Sequence, residues 1–323
     1  MTSDFDQMRI SFCFLLMLSW TMATAGDCLP SQLHPPLCDR SGDLVADAPQ
    51  DSGALRDPRV LVFAYTPVED PSVFAEVWEE FIAHLSDTVG RRVRFFPVQS
   101  NAAQLEAMRA GRLHVAGFNT GSTPLAVNCA GFVPFAMMAR EDGTYGYEME
   151  IITRSDSELH DLEDLRGRSL AFTQPTSNSG FKVPTLLLAE MGLEADRDFR
   201  ARFSGRHDNS VLGVINGDFD AAAIANVVVR QMKARDVVDP AMLRTIYRSE
   251  TFPTTAYGHA HDLAPELAED IRAAFFSFDW EGTALQAEFR ESGEAQFIPI
   301  SYAEHWTVVR EIDEGLGIEY RCR

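Results

Sequence analysis

The sequence predicts an α/β fold in two lobes, and three observations carry that expectation. From about residue 59, short apolar runs alternate with segments of helical periodicity, and the alternation restarts near residue 149. The turns between strands and helices are rich in Thr, Ser, Asn and Gly. Strands alternating with helices imply parallel, doubly wound sheets. A pattern that restarts implies two of them, with a ligand crevice beyond the strand ends where helix N-termini converge.

The 323-residue chain opens outside this pattern. Arg9 precedes the apolar run Ile10 to Met22, and Ala23-Thr24-Ala25 has the small residues of a signal peptidase site. The run is shorter than the roughly 20 residues a membrane helix needs, and Asp27 before Cys28 argues against a lipoprotein site. Residues 1–25 are therefore expected to be a signal peptide of an exported, periplasmic protein. Cleavage removes Cys13 and leaves Cys28, Cys38, Cys129 and Cys322. Cys28 and Cys38 flank a short proline-containing loop and are the favoured disulfide; Cys129 and Cys322 either pair or stay free. No zinc-type spacing is present, and an oxidising compartment favours disulfides over metal. A net charge of -20 argues against nucleic acid and anionic membranes, both of which call for a basic face.

Residues 26–57, rich in Pro, Asp, Ser and Gly, read as an irregular arm. Arg59 to Tyr65 is a buried-type strand, and Thr66 to Pro71 is a turn. Phe74, Val77, Trp78, Phe81, Ile82 and Leu85 keep helical spacing on one apolar face. A strand at Arg92 to Val98, a helix at Ala102 to Ala110 and a strand at His114 to Phe118 follow. The second unit starts with Met149 to Thr153. It continues through a short helix ending at Gly167, a strand at Ser169 to Thr173, helices at Phe181 to Met191 and Val211 to Asn216, and strands at Ala221 to Ala225 and Leu243 to Tyr247. The C-terminal third supplies helices near Pro265 to Phe278 and His305 to Glu314 but no third sheet. The expected division is lobe 1 at 58–148 plus about 256–323, and lobe 2 at 149–255.

Three strand-to-helix turns stand out. Gln174-Pro175-Thr176-Ser177-Asn178-Ser179-Gly180 holds four small hydrogen-bonding side chains and a glycine; Thr66 to Asp70 and Asn119 to Pro124 are its counterparts in lobe 1. Helix capping alone accounts for one such turn. Three at the ends of strands point to an anion cradle, because free N–H groups and helix dipoles favour negative charge there.

The run Asp164-Leu165-Arg166-Gly167, Ala171-Phe172 and Pro175 to Pro184 resembles the core motif of the phosphonate, phosphite and phosphate substrate-binding proteins of ABC importers, the PhnD-like family. Gly205-Arg206-His207-Asp208 and Asn216 to Ala222 continue the likeness, which spans roughly residues 58 to 300. The resemblance implies a type II periplasmic binding protein fold whose two lobes close on a small oxyanion. It also implies ligand contacts from Ser177, Asn178, Ser179 and His207, and an aromatic cover from Tyr147. Topology adds Thr66, Val68, Asn119, Thr120 and Ser122 from lobe 1, with Thr255 near the rim. Where family members that bind amino-phosphonates carry carboxylates, this chain has Val227 and Thr255, and Asn101 replaces a family tyrosine. These departures argue against an ammonium-bearing ligand. The implied partner is an ABC permease. No cofactor is expected, and the protein is read as a monomer and not an enzyme.

Two rival readings remain at this stage. Some relatives resemble arsenite-binding sensors that signal to a histidine kinase, for which Cys129 would supply a soft thiolate. Ser177, His207 and Asp220 superficially form a hydrolase triad, although a triad is defined by geometry and no Gly-x-Ser-x-Gly elbow is present.

Overall fold

The alternating runs assemble into two sheets, each flanked by helices, in the computed structural model, which describes residues 28–322. The expected signal segment lies outside the described residues. In chain order the elements begin with β1 (Val60–Tyr65), α1 (Pro71–Val77), α2 (Glu79–Thr88), β2 (Arg92–Phe95), α3 (Asn101–Arg109), β3 (Val115–Phe118), α4 (Thr123–Ala130) and β4 (Phe132–Ala139). There follow β5 (Tyr147–Arg154), β6 (Ser169–Phe172), α5 (Val183–Glu190), β7 (Arg200–Phe203), α6 (His207–Asn216), β8 (Ala221–Ala225), α7 (Asn226–Ala234) and β9 (Leu243–Phe252). The chain ends with β10 (Ala256–Ala260), α8 (Pro265–Ser277), α9 (Ala284–Phe289), β11 (Gln296–Pro299), α10 (Tyr302–His305) and α11 (Thr307–Gly315). The first lobe's sheet runs β11-β4-β10-β3-β1-β2 and the second lobe's runs β7-β6-β8-β5-β9.

The sheets are mixed, not parallel throughout as the alternation suggests. β1 is parallel to β2 and β3, and β6 to β7 and β8. β10 is antiparallel to β3 and β4, β11 to β4, and β5 to β8 and β9. The reason lies in the crossovers. β5 and β10 each begin just after the chain has passed from one lobe to the other. Neither has to complete a helical return within its own sheet, so the rule that makes βαβ units parallel does not bind them.

Four strands carried no clear sequence signal: β4, β7, β10 and β11. All eight residues of β4 are buried, so the run has no polar alternation, and period alone does not separate such a run from a buried helix. Aromatic packing explains the core of the first lobe, where Phe63, Trp78, Phe81, Tyr257, Phe275 and Phe297 interlock on one sheet face. Its other face packs Phe118, Phe132 and Trp306 against Leu33 and Val45 of the N-terminal arm. The arm is closed by the Cys28–Cys38 disulfide, in agreement with the sequence expectation. Helix α11 touches both lobes, with Val309 in the first-lobe core and Ile312 in that of the second. Beyond it, the Cys129–Cys322 disulfide ties the C-terminal tail to α4.

Candidate functional site

Between the two sheets lies a cavity of about 70 Å³, room for a few waters or one small anion. The second lobe lines it with Tyr147, Ser177, Asn178, Ser179, His207, Val227 and Gln231. The first lobe contributes Tyr65, Val68, Asn119, Thr120, Met138, Tyr257, Phe289 and Glu294, and Thr254 and Thr255 come from the crossover. Among the described residues, no lysine or arginine lines the cavity.

The loop after β6 is built for tight turning. Ser177 has extended backbone angles and accepts the Gly180 N–H at 3.1 Å through its Oγ, which makes it the N-cap of a π-helical turn, Asn178–Lys182, that runs into α5. The capping reading and the cradle reading are thus both met by one residue: the lone pair caps, and the hydroxyl hydrogen stays free to donate. Only glycine fits at 180, since a Cβ there would collide with the side chains of Thr173 and Ser177. Asn178 donates its amide to the Tyr147 hydroxyl at 3.2 Å, while its Oδ1 is buried without a donor. Ser179 and Thr120 also reach the Tyr147 hydroxyl, and burial raises that hydroxyl's pKa, keeping it neutral.

His207 opens α6 and is fully desolvated. Burial lowers its pKa to about 4, so at neutral pH the ring is uncharged. Its Nδ1 accepts the Ala225 N–H at 3.2 Å. The proton of the neutral ring must then sit on Nε2, which makes that atom a hydrogen-bond donor. The site therefore offers hydroxyls, an amide and a neutral imidazole, and no positive charge.

Two of the expected lobe 1 positions, Thr66 and Ser122, lie outside the cavity wall, and Asn119 lies on it. The Thr66 hydroxyl accepts the Asn119 amide at 3.0 Å, and Thr66 does not line the cavity. Ser122 lies outside it too, donating its N–H to Asn119 Oδ1 at 2.9 Å. The Asn119 side chain is fully occupied, since it also donates to Asn101 Oδ1 at 2.9 Å. It pins three loops together from a position on the cavity wall. The sequence composition of these turns could not separate the loop-binding hydroxyls from the cavity-lining ones. Val68, Thr120, Tyr147, Thr255 and the departure position Val227 do line the cavity, whereas Asn101 does not.

Neither rival reading keeps its chemistry. Cys129 is bonded to Cys322 and is absent from the cavity wall, so it holds no thiolate for arsenite. Asp220 is occupied by Ser169, accepting from its N–H and its hydroxyl at 2.7 Å each, and His207 Nδ1 is held by a backbone amide. No Ser–His–Asp relay is assembled.

The lobes meet through specific contacts. The His207 N–H donates to Val68 O at 3.1 Å. Asn101 donates to Gln174 Oε1 and Thr176 Oγ1 at 3.1 and 2.8 Å. Arg235, at the end of α7, pairs with Glu69 and Glu288 of the first lobe. Lys182, only 4% exposed, pairs with Asp313 of α11 at 2.6 Å and donates to Gly121 O at 2.7 Å. Gly121 lies directly against the backbone of Thr176 and Asn178. The conformation is closed.

Comparisons with known proteins agree with this architecture. Residues 63–306 match the profile of the family described as ABC transporter, phosphonate, periplasmic substrate-binding protein. The chain is 29% identical over 315 residues to the phosphate-import protein PhnD of Mycolicibacterium smegmatis, covering 93% of this chain and 94% of that one. It is 24% identical over 253 residues to the phosphonates-binding periplasmic protein of Escherichia coli, covering 75% of each. Its fold is similar to PhnD1 of Prochlorococcus marinus, solved in complex with methylphosphonate, with a TM-score of 0.72 at 19% identity over 81% of this chain and 99% of that one. On the profile match and the two-lobed architecture together, the chain belongs to the periplasmic substrate-binding protein family of phosphonate ABC transporters.

Proposed function

We propose that this protein is exported and captures a small oxyanion of the phosphate, phosphite or phosphonate type by lobe closure, for delivery to an ABC permease. The observation that carries the reading is the neutral, donor-rich end of the inter-lobe cavity, with Ser177, Asn178, Ser179, Tyr147 and His207 converging and no cation on the wall. Pre-oriented neutral dipoles stabilise an anion without the desolvation cost of a buried lysine or arginine. The donorless Asn178 Oδ1 adds one acceptor, which suits an oxyanion that still carries a proton. Binding, not turnover, is what such a site does. Two disulfides support an oxidising compartment and hence export. The relatives' names, phosphate-import and phosphonates-binding, point to the same ligand class.

Calorimetric titration of phosphate, phosphite and methylphosphonate into the purified protein tests the reading. At least one should bind with a stoichiometry of one. Ser179→Ala should weaken that binding about tenfold or more, the usual effect of removing a hydrogen bond to a charged group. Heat from none of the three would overturn the proposal.

A further inference from the structure

Arginine supplies almost every cation of this chain; Lys182 and Lys233 are its two lysines. Lys233 is exposed and pairs with Glu291 at the surface. Lys182 is buried, and it ends the π-helical turn that begins at Asn178 and holds Ser179. Its ammonium meets two partners, Asp313 Oδ1 at 2.6 Å and Gly121 O at 2.7 Å. Neither Lys182 nor Asp313 lines the cavity.

The two partners belong to different lobes. Asp313, 1% exposed, lies in the C-terminal half of α11. There Ile312 and Leu316 pack into the second-lobe core, and Gly315 lies against Leu186 of α5. The ion pair is therefore part of the second lobe's own body. Gly121 is in the first lobe, next to Thr120, which lines the cavity and whose carbonyl accepts from Trp306 Nε1 at 2.9 Å. A compact ammonium with three donors serves a carboxylate and a carbonyl at once. When the lobes part, Asp313 travels with Lys182 and the Gly121 carbonyl leaves. The bond that is lost is buried and charge-assisted, and hence stronger than a neutral one.

We propose that Lys182 is a positioning residue for ligand capture: held in place by Asp313, it latches the Gly121 carbonyl as the lobes close. The inference rests on the oxyanion reading above and goes beyond it, since affinity is then set in part by a cation that never touches the anion.

The test uses the full-length mature protein and whichever of phosphate, phosphite and methylphosphonate binds the wild type. Lys182→Met leaves Asp313 buried and uncompensated, and should lower both the melting midpoint and the affinity. The double variant Lys182→Met, Asp313→Leu removes both charges, and replacing a buried ion pair by apolar side chains is often neutral or stabilising. Its melting midpoint should return towards the wild-type value. Its affinity should stay about tenfold or more weaker, through a faster off-rate in stopped-flow release, because the Gly121 carbonyl still closes without a donor. A purely structural role would restore both, so wild-type affinity and off-rate in the double variant overturn the inference. Should that variant not fold, the wild type itself reports. With 15N-labelled lysine the chain gives two ammonium signals. Saturating ligand should slow proton exchange at Lys182 and leave Lys233 unchanged. Equal exchange at Lys182 with and without ligand overturns the inference alone, whereas a wild type that binds none of the three anions overturns the functional reading beneath it.

Discussion

Replacing Gly121 with alanine adds one methyl group at the point where the lobes touch. Gly121 has no positive φ, so its backbone conformation accepts an L side chain. The obstacle comes from across the cleft: the new Cβ would overlap Asn178 N and Thr176 O and come within 3.0 Å of Asn178 Cα. These are backbone atoms of the loop that carries Ser177 and Ser179, and they cannot rotate aside. The penalty therefore falls on the closed state and spares each lobe on its own. Overpacking of this kind costs about 1–3 kcal/mol. A cost confined to the binding-competent conformation passes directly into apparent affinity, so Gly121→Ala should weaken oxyanion binding about 5- to 150-fold. Calorimetry measures that loss. Small-angle scattering should show less ligand-induced compaction, while the melting midpoint of ligand-free, open protein stays at the wild-type value. Wild-type affinity in Gly121→Ala would refute the claim that the ligand is held by the closure seen here.

Three further outcomes follow from the same contacts. Arg235→Ala should remove the ion pairs with Glu69 and Glu288 that join the second lobe to the first when the lobes close, raising the ligand off-rate about tenfold or more in stopped-flow release; an unchanged rate would remove Arg235 from the closure. His207 has a folded pKa of about 4 against an unfolded value near 6.5. The unfolded chain thus binds more protons between those values, and the stability His207 contributes is complete above about pH 6.5 and lost as pH falls through 4, about 3 kcal/mol in all. Urea unfolding across that range should show a shallower pH dependence in His207→Gln, and an identical slope would contradict the burial. The double variant Cys129→Ser, Cys322→Ser opens a loop spanning 193 residues and should cost about 2–4 kcal/mol of stability without altering ligand affinity; an unchanged melting midpoint would show that the disulfide does not form.

The second-lobe half of the site was legible because its chemistry is local. Ser177, Asn178, Ser179 and His207 lie on two short strand-to-helix turns whose spacing is dictated by capping and by the glycine at 180, so one stretch of sequence carries the arrangement. The first-lobe half was less legible for a physical reason. Thr66 and Ser122 have the same side-chain chemistry as cavity-lining residues, yet the Thr66 hydroxyl accepts from the Asn119 amide and the Ser122 hydroxyl donates to the Asn119 carbonyl, and composition does not distinguish a hydroxyl that braces a loop from one that faces a ligand. Tyr65, Met138, Tyr257, Phe289 and Glu294 were not found at all. They arrive from strand interiors and from segments after the second crossover, where they read as ordinary core or surface. Glu294 carried no signal among 48 acidic residues; only its burial sets it apart. The mixed strand directions were hidden likewise, because β4 and β10 are buried throughout and their direction depends on which lobe the chain has just left.

The proposal that uncharged donors of the inter-lobe cavity hold the ligand is tested most directly by crystals of the protein grown with methylphosphonate. Phosphonate oxygens should lie within hydrogen-bond distance of Ser177 Oγ, Ser179 Oγ and His207 Nε2, with no lysine or arginine side chain touching them. Phosphorus density outside the cleft, or held by a cationic side chain, would contradict the account.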